Sequence, residues 1–401
     1  MTLSSSSIAL VILLGVIAIG YALGRIDIKG IRLGSSGVFI VAVITGSLVT
    51  VLKKNTQADS GFYVSLLNTI KSLDGLSKNF QNIGLILFIT AIGYTAGPVF
   101  IKTIKKGALN YILLSFIVTI IGFGVTLIIY FVDSGLDMSS ALGIMMGSLT
   151  STPGLSSSIA AFEVSEDIIN TAHAISYPFG VLGACLFAQI MPKFFKKDLE
   201  ESKAKLKSIA EEDEELQSGK NVFEFDKLGL CVFCFAGMMG ILLGSVTIPG
   251  INFKLTTTGG CLIVGLLFGQ VGKIGNVNVK VPKQTLTVFK ELGLVFFLTG
   301  SGVTGGFSFI QMISDYPLYF VYGMIITLLP MIIGFIVAKR IFKLDILSNL
   351  GAITGAMTST PALGALEQVS DCDNVSACYT ATYPLALFLL VIIPQIVKIF
   401  I

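Results

Sequence analysis

Two short hydroxyl-rich runs stand out as residues that could do chemistry: Thr150-Ser151-Thr152-Pro153 and Thr358-Ser359-Thr360-Pro361. Each sets three hydroxyls beside a proline inside an apolar stretch. Proline removes an amide donor and frees an upstream carbonyl. In hydrocarbon such groups are costly unless they face protein, a cavity or a ligand. A bend there offers hydroxyl donors, and the helical arm after the proline adds a positive dipole end; both suit a small anion. A plain kink that packs two helices explains one copy as well. Two repeat-related copies favour a binding site, because paired broken segments mark the midplane site of many transporters.

Further candidates flank these runs. Thr90, Gly93 and Thr95 recur as Thr299, Gly302 and Thr304, with Gly97 and Gly306 one turn on. Glycines four apart share one helix face, so these runs read as smooth, hydroxyl-lined helices against which a bend could rest, or as small-residue packing. Tyr177-Pro178 and Tyr383-Pro384 sit early in the last stretch of each half and bring a phenol towards the same region. Gln189 and Gln395 are read as interhelical hydrogen-bonding groups. His173, the sole histidine, is read as a solvated boundary residue, and Glu163 and Glu367 as marks of the aqueous edge. Cys231 and Cys234 are read as buried, inert thiols without a second pair at metal spacing. No metal site, cofactor, catalytic triad or phosphate loop is expected, so the chain is not read as an enzyme.

The elements that must hold these residues are membrane helices. Hydrophobic residues make up 53% of the chain and charged ones 13%, too few to cover a soluble fold of this size. A net charge of +3 gives no support to a nucleic-acid partner. Twelve long stretches lack Asp, Glu, Lys and Arg: 8–24, 33–52, 83–101, 108–132, 138–162, 168–192, 228–253, 255–272, 292–314, 316–338, 346–366 and 374–397. They are continuous rather than alternating, which argues for helices and against a barrel. The charges crowd instead into 193–227, with Glu211-Glu212-Asp213-Glu214-Glu215 at its centre. That segment is expected to be a solvated helical or disordered linker between a first repeat, 1–192, and a second, 228–401.

The repeat rests on three blocks in the same order: Gly84–Gly97 with Gly293–Gly306, the two Thr-Ser-Thr-Pro runs, and the Tyr-Pro pairs. Pro153 and Pro361 split their stretches into arms of about 10 residues, each rising ~15 Å, half the hydrocarbon core. Such a pair suits a re-entrant hairpin. The expected fold is therefore an all-α polytopic membrane protein of two inverted repeats, each with five crossings and one re-entrant hairpin. Total Lys and Arg scarcely separate this arrangement from a parallel one. The loop after the third stretch favours inversion, since Lys102, Lys105 and Lys106 there face Asp315 in the second half. The termini are then expected outside and the linker in the cytoplasm, with Lys53, Lys54, Lys71 and Lys78 in a long outer loop.

With Gly147–Pro153, Gly355–Pro361 and the downstream Tyr-Pro dipeptides in both halves, the chain resembles the aspartate–alanine exchanger family. The resemblance implies a secondary transporter of the bacterial inner membrane that exchanges small amino acids or dicarboxylates. By analogy it implies elevator-like alternating access and a homodimer in the bilayer. Many members carry soluble regulatory domains between their halves, where this chain has only the charged linker. A sodium- or proton-coupled symporter of a small organic anion is the rival reading; a channel or membrane enzyme fits less well. Arginine occurs only at Arg25, Arg32 and Arg340, all at stretch ends. A carboxylate would thus be held by hydroxyls, amides and helix ends.

Overall fold

The structure is a computed structural model that describes residues 4–28, 31–32, 36–56, 61–162, 166–195, 198–206, 226–248, 253–254, 256–274 and 277–400. Its first half contains α1 (Ser5–Gly24), β1 (Asp27–Ile28), β2 (Ile31–Arg32), α2 (Ser36–Asn55), α3 (Gly61–Val132), α4 (Met138–Ser148), α5 (Thr152–Ala161) and α6 (Glu166–Phe194). A short helix α7 covers 198–206. Then come α8 (Leu230–Ser245), β3 (Thr247–Ile248), β4 (Phe253–Lys254), α9 (Thr256–Val271), β5 (Lys273–Ile274), β6 (Val277–Asn278), α10 (Lys283–Asp315) and α11 (Pro317–Arg340). The chain closes with α12 (Ile346–Ala356), α13 (Thr360–Ser370), a 3₁₀ turn (Asp373–Val375) and α14 (Ser376–Phe400).

Among the described residues eight helical segments are long and apolar enough to cross a membrane, two of them within α3, and they make this an α-helical polytopic membrane protein. Their outer faces are apolar rather than polar: Leu14, Ile128, Phe131 and Phe400 are all exposed. Large hydrophobic residues at a surface mark contact with something other than water, here lipid.

Each of the twelve apolar stretches falls on helix, but several boundaries differ from the expected ones. The third and fourth stretches are one helix, α3, of 72 residues. Pro98 lies within it, and Lys102, Lys105 and Lys106 continue it because lysine is a good helix former. Lys71 and Lys78 sit in its first part, not in a loop, and Lys78 pairs with Asp74 one turn away at 2.7 Å. In the second half the corresponding helix is cut at Tyr316, and Pro317 opens α11. Helices α8 and α9, at 16 residues each, rise only ~24 Å and are shorter than a ~30 Å core. Part of the expected stretch 228–253 goes into the β3–β4 ladder, antiparallel with Thr247 opposite Lys254. Two further two-residue ladders, β1–β2 and β5–β6, complete the sheet content of the described residues.

Two compact units are present, Met1–Leu85 with Glu291–Pro317, and Ile86–Lys290 with Leu318–Ile401. Each draws on both halves of the sequence. The first unit is built around Ala9, Leu13, Val16, Ala42, Leu73 and Val303. There Gly302 and Gly306 of α10 press so closely on α2 that an added Cβ would meet the Phe39 and Val43 carbonyls. Ser47 Oγ donates to the Gly306 carbonyl at 3.0 Å. The second unit contains α4–α9, α11–α14 and the later part of α3. Gly93 and Gly97 of α3 pack on α9 in the same way, against the Leu262 and Leu266 carbonyls. The two Gly/Thr runs thus play repeat-related packing roles, each against the second helix of the opposite half.

The linker is not solvated throughout. Ser202 and Leu206 of α7 are buried. Lys205 pairs with Asp345 at 2.9 Å and Lys203 with Asp371 at 3.7 Å, while the Asn374 side-chain amide donates to the Leu206 carbonyl at 3.3 Å. The acidic run Glu211–Glu215 lies outside the described residues. Cys231 and Cys234 are exposed rather than buried, because α8 turns Val232, Phe233, Ala236 and Gly240 inward and presents the cysteines on the other face. Asp226 opens α8 by accepting the amides of Leu228, Leu230 and Cys231. These donors hold its carboxyl below the usual carboxylate range.

Candidate functional site

The site lies in the second unit, where α4–α5 and α12–α13 are each a helix broken by a three-residue bend. The local cause is the same in both copies. Helix α4 closes with Thr150 N donating to Gly147 O at 3.0 Å and Ser151 N to Met146 O at 2.8 Å. Helix α12 closes with Thr358 N on Gly355 O at 3.0 Å and Ser359 N on Thr354 O at 2.9 Å. This is a Schellman ending, which needs a left-handed residue at its turn and usually takes glycine. Here the turn residues are Thr150, at φ 54°, and Thr358, at φ 50°. A β-branched residue in that region is strained by roughly 1–2 kcal/mol. Ser151 and Ser359 then run extended as N-caps, and Pro153 and Pro361 occupy the first turns of α5 and α13, where a missing amide costs nothing.

The strained threonines join the two bends. Thr150 Oγ1 donates to the Met357 carbonyl at 3.2 Å, and Thr358 Oγ1 donates to the Leu149 carbonyl at 2.8 Å. Each bend therefore satisfies the carbonyl just before the other's turn. The bends meet tip to tip, and the helix starts of α5 and α13 belong to one locality.

Neighbouring helices fix this geometry through close backbone approach. Gly147 of α4 packs against His173 and Ser176 of α6, and Gly355 of α12 packs against Tyr379 and Thr382 of α14. Any side chain at either glycine would collide with those carbonyls and hydroxyls. The second arms cross over, α5 packing on α14 and α13 on α6. Ser157 Oγ of α5 donates to Val391 O at 2.5 Å, and Gln395 Nε2 of α14 donates to Ser157 O at 3.2 Å. Thr327 Oγ1 of α11 donates to Ser148 O at 3.1 Å, satisfying the last carbonyl of α4.

The aromatic pairs are also repeat-related. His173 stacks on Tyr177 and Tyr379 on Tyr383, both with centroids 5.3 Å apart and planes at 25°. The Tyr379 hydroxyl and Thr360 Oγ1 share a hydrogen bond of 3.3 Å, which ties this stack to the second bend. Tyr383 reaches Thr258 of α9. His173 is not a solvated boundary group: its Nε2 is shielded from solvent and accepts no hydrogen bond.

The two bends differ in one respect. Ser151 Oγ caps its own helix by accepting from Gly154 N at 3.1 Å. Ser359 makes no such bond; it is fully buried and its Oγ has no partner. Thr152 is exposed whereas Thr360 is buried. The second bend thus holds an idle buried hydroxyl beside an uncapped helix start. This makes opposite predictions for two alanine variants. Ser151→Ala should cost about 1 kcal/mol, as an N-cap loss does. Ser359→Ala should leave stability unchanged or slightly raised, because it removes a desolvated hydroxyl with no partner. Thermal unfolding of the two purified variants distinguishes them.

Of the sequence candidates, Thr150–Pro153, Thr358–Pro361, Tyr177 and Tyr383 share the second unit with Thr90, Gly93 and Thr95. Thr95 spends its hydroxyl on Ala91 O at 2.9 Å, and Thr90 is buried beside Cys261 of α9. Thr299, Gly302 and Thr304 lie in the first unit, where the Thr299 and Thr304 hydroxyls are buried without partners. Glu163 lies outside the described residues. Sequence reasoning overlooked a charged cluster at the far end of α13: Glu367 is buried, not at an aqueous edge, and Lys290 and Asp373 pair with it or near it. The only sequence signal was Lys290 just ahead of an apolar stretch.

Comparison with known proteins is consistent with this architecture. The profile of a family described as "Predicted Permease Membrane Region" (Asp-Al_Ex) matches residues 12–193 and 232–399. An uncharacterized transporter of Bacteroides fragilis is 22% identical over 95% of this chain and 96% of its own length. A putative transport protein of Dichelobacter nodosus is 24% identical over 99% of each. A putative transport protein of Actinobacillus pleuropneumoniae is 36% identical over 41% of this chain and 31% of its own.

Proposed function

The chain belongs to the aspartate–alanine exchanger family of permeases, and from that premise we propose that it is a secondary transporter exchanging small amino acids or dicarboxylates by alternating access. One observation carries the assignment of the site: the reciprocal bonds of Thr150 and Thr358 hold two strained bends tip to tip. Strain of this kind persists where surrounding structure demands it and gathers at functional sites. The substrate carboxylate sits at the starts of α5 and α13, with Ser359 Oγ, Thr152 and Thr360 as hydroxyl donors and two helix dipoles favouring its charge. Tyr177 and Tyr383 close the sides. The Gly/Thr runs, with Thr90, Gly93, Thr95, Thr299, Gly302 and Thr304, hold α9 and α2 at close backbone approach, each within its own unit.

In this reading the broken helices are re-entrant hairpins of two inverted repeats, 1–192 and 228–401, entering from opposite faces. Arms of 11, 10, 11 and 11 residues are too short to cross. The carrier works as a homodimer in the bacterial inner membrane with elevator-like displacement, termini outside and the linker in the cytoplasm. Support for these features comes from charge placement and family resemblance.

Exchange is separated from symport in proteoliposomes. Labelled L-aspartate or succinate should accumulate in vesicles loaded with the unlabelled compound, and hardly at all in empty ones. Accumulation in empty vesicles driven by a sodium or proton gradient favours symport instead.

A further inference from the structure

Helix α13 carries the substrate hydroxyl at one end and a buried ionic cluster at the other. Ser359 and Glu367 are eight residues apart, or ~12 Å along the axis. Glu367 is 5% exposed. Its Oε2 lies 3.3 Å from Lys290 Nζ of α10, while Oε1 has no hydrogen-bond partner. Lys290 is itself buried, and its closest carboxylate is Asp373 of the 3₁₀ turn, whose side chain is 53% exposed. The groups facing Glu367 are thus Lys290 and Asp373, with the Cys372 thiol nearby. Lys203 of α7 reaches the same corner but is engaged by Asp371.

One ammonium stands against two carboxylates. Lys290 answers Asp373 first, which leaves Glu367 with a distant partner on one oxygen and nothing on the other. An uncompensated carboxylate away from water is costly, and it escapes that cost by binding a cation. A metal ion does not suit: it would need several oxygen ligands, an ammonium stands in the way, and no metal-holding group of side chains occurs among the described residues. A proton needs only the free oxygen. Nor does the fold require the charge. In the register set by Pro153 and Pro361, Ile159 stands where Glu367 does; in that set by Gly84 and Gly293, Gln81 stands where Lys290 does. The repeat-related positions of the first half carry neither charge.

We propose that Glu367, positioned by Lys290 and Asp373, is a proton-binding site of this protein, linked through α13 to the substrate bend. The link to substrate rests on the transport reading; the proton site does not. In the folded chain Glu367 keeps a proton at a pH where the unfolded chain has released it. Stability is therefore gained at low pH and lost as pH rises.

The test is thermal unfolding of the purified full chain between pH 5.5 and 8.5. Relative to Glu367→Gln, the wild-type melting temperature should fall by at least about 3 °C across that range. Asp373→Asn should flatten the curve too, because Lys290 is then free to answer Glu367 alone; this variant decides the matter if Glu367→Gln does not fold. Parallel curves for all chains that fold overturn the site. A second measurement uses proteoliposomes with L-aspartate. Exchange by wild type should change at least about threefold between pH 5.5 and 8.5, and exchange by Glu367→Gln by less than half as much. An equal pH dependence in the two overturns the proposed coupling. If the curves diverge but no exchange occurs, the transport reading falls and the proton site stands. If exchange occurs and the curves are parallel, the reverse holds.

Discussion

Replacing both bend threonines, Thr150→Ala with Thr358→Ala, is expected to reduce exchange at least about tenfold while the helices remain formed. Alanine tolerates the left-handed turn better than threonine, so the backbone strain at these positions, φ 54° and 50°, falls rather than rises. What is lost is the pair of donors to Met357 O and Leu149 O. Each carbonyl left unpaired costs about 1–3 kcal/mol, and the tips are no longer held together. Thr150→Ser with Thr358→Ser keeps both hydroxyls and should restore most of the activity. Alanine variants that exchange at the wild-type rate would reduce the contacts to packing.

Lys290→Met is expected to destabilise the chain increasingly as pH rises, by up to about 1.4 kcal/mol for each pH unit, because Glu367 loses its nearby cation and stays buried only by holding a proton. Glu367 has no other cation within bonding distance among the described residues, whereas Asp373 is half exposed and can be rehydrated. Adding Glu367→Gln to Lys290→Met should recover most of the loss, since the stranded charge disappears with it. A double variant as unstable as the single one would show that Lys290 matters for its stem packing rather than its charge. Unfolding of the single and double variants under the same conditions measures the coupling.

The sequence was most legible where apolar length decides the outcome. All twelve stretches fall wholly or mostly on helix, and both breaks occur at the Thr-Ser-Thr-Pro runs, where proline favours a helix start. Capping chemistry was less visible. A Schellman turn normally announces itself with glycine at its left-handed position, and threonine at 150 and 358 hides it. Stretches bounded by charge misplaced the ends of α3, since Lys102–Lys106 mark a chemical change without breaking a helix. The same habit put Glu367 at an edge and left Lys290 out. Each is unfavourable alone in an apolar setting, and only their partnership across 77 positions of sequence, which no local pattern reveals, allows both to be buried. The docking of α7 was hidden likewise by its charged composition, because its few buried residues, Ser202 and Leu206, are too few to set a periodicity.

The most direct test of the substrate site compares ligand-induced stabilisation in wild type and Ser359→Ala, two chains expected to have the same stability without ligand. Small amino acids and dicarboxylates, L-aspartate and succinate among them, are added to each purified protein and the melting temperature is read. A compound that binds the folded chain raises it by mass action. At least one should raise the wild-type value by several degrees and the Ser359→Ala value by less than half as much. Equal shifts in the two proteins, or no shift with any of them in wild type, would contradict a carboxylate held at the meeting point of the two bends.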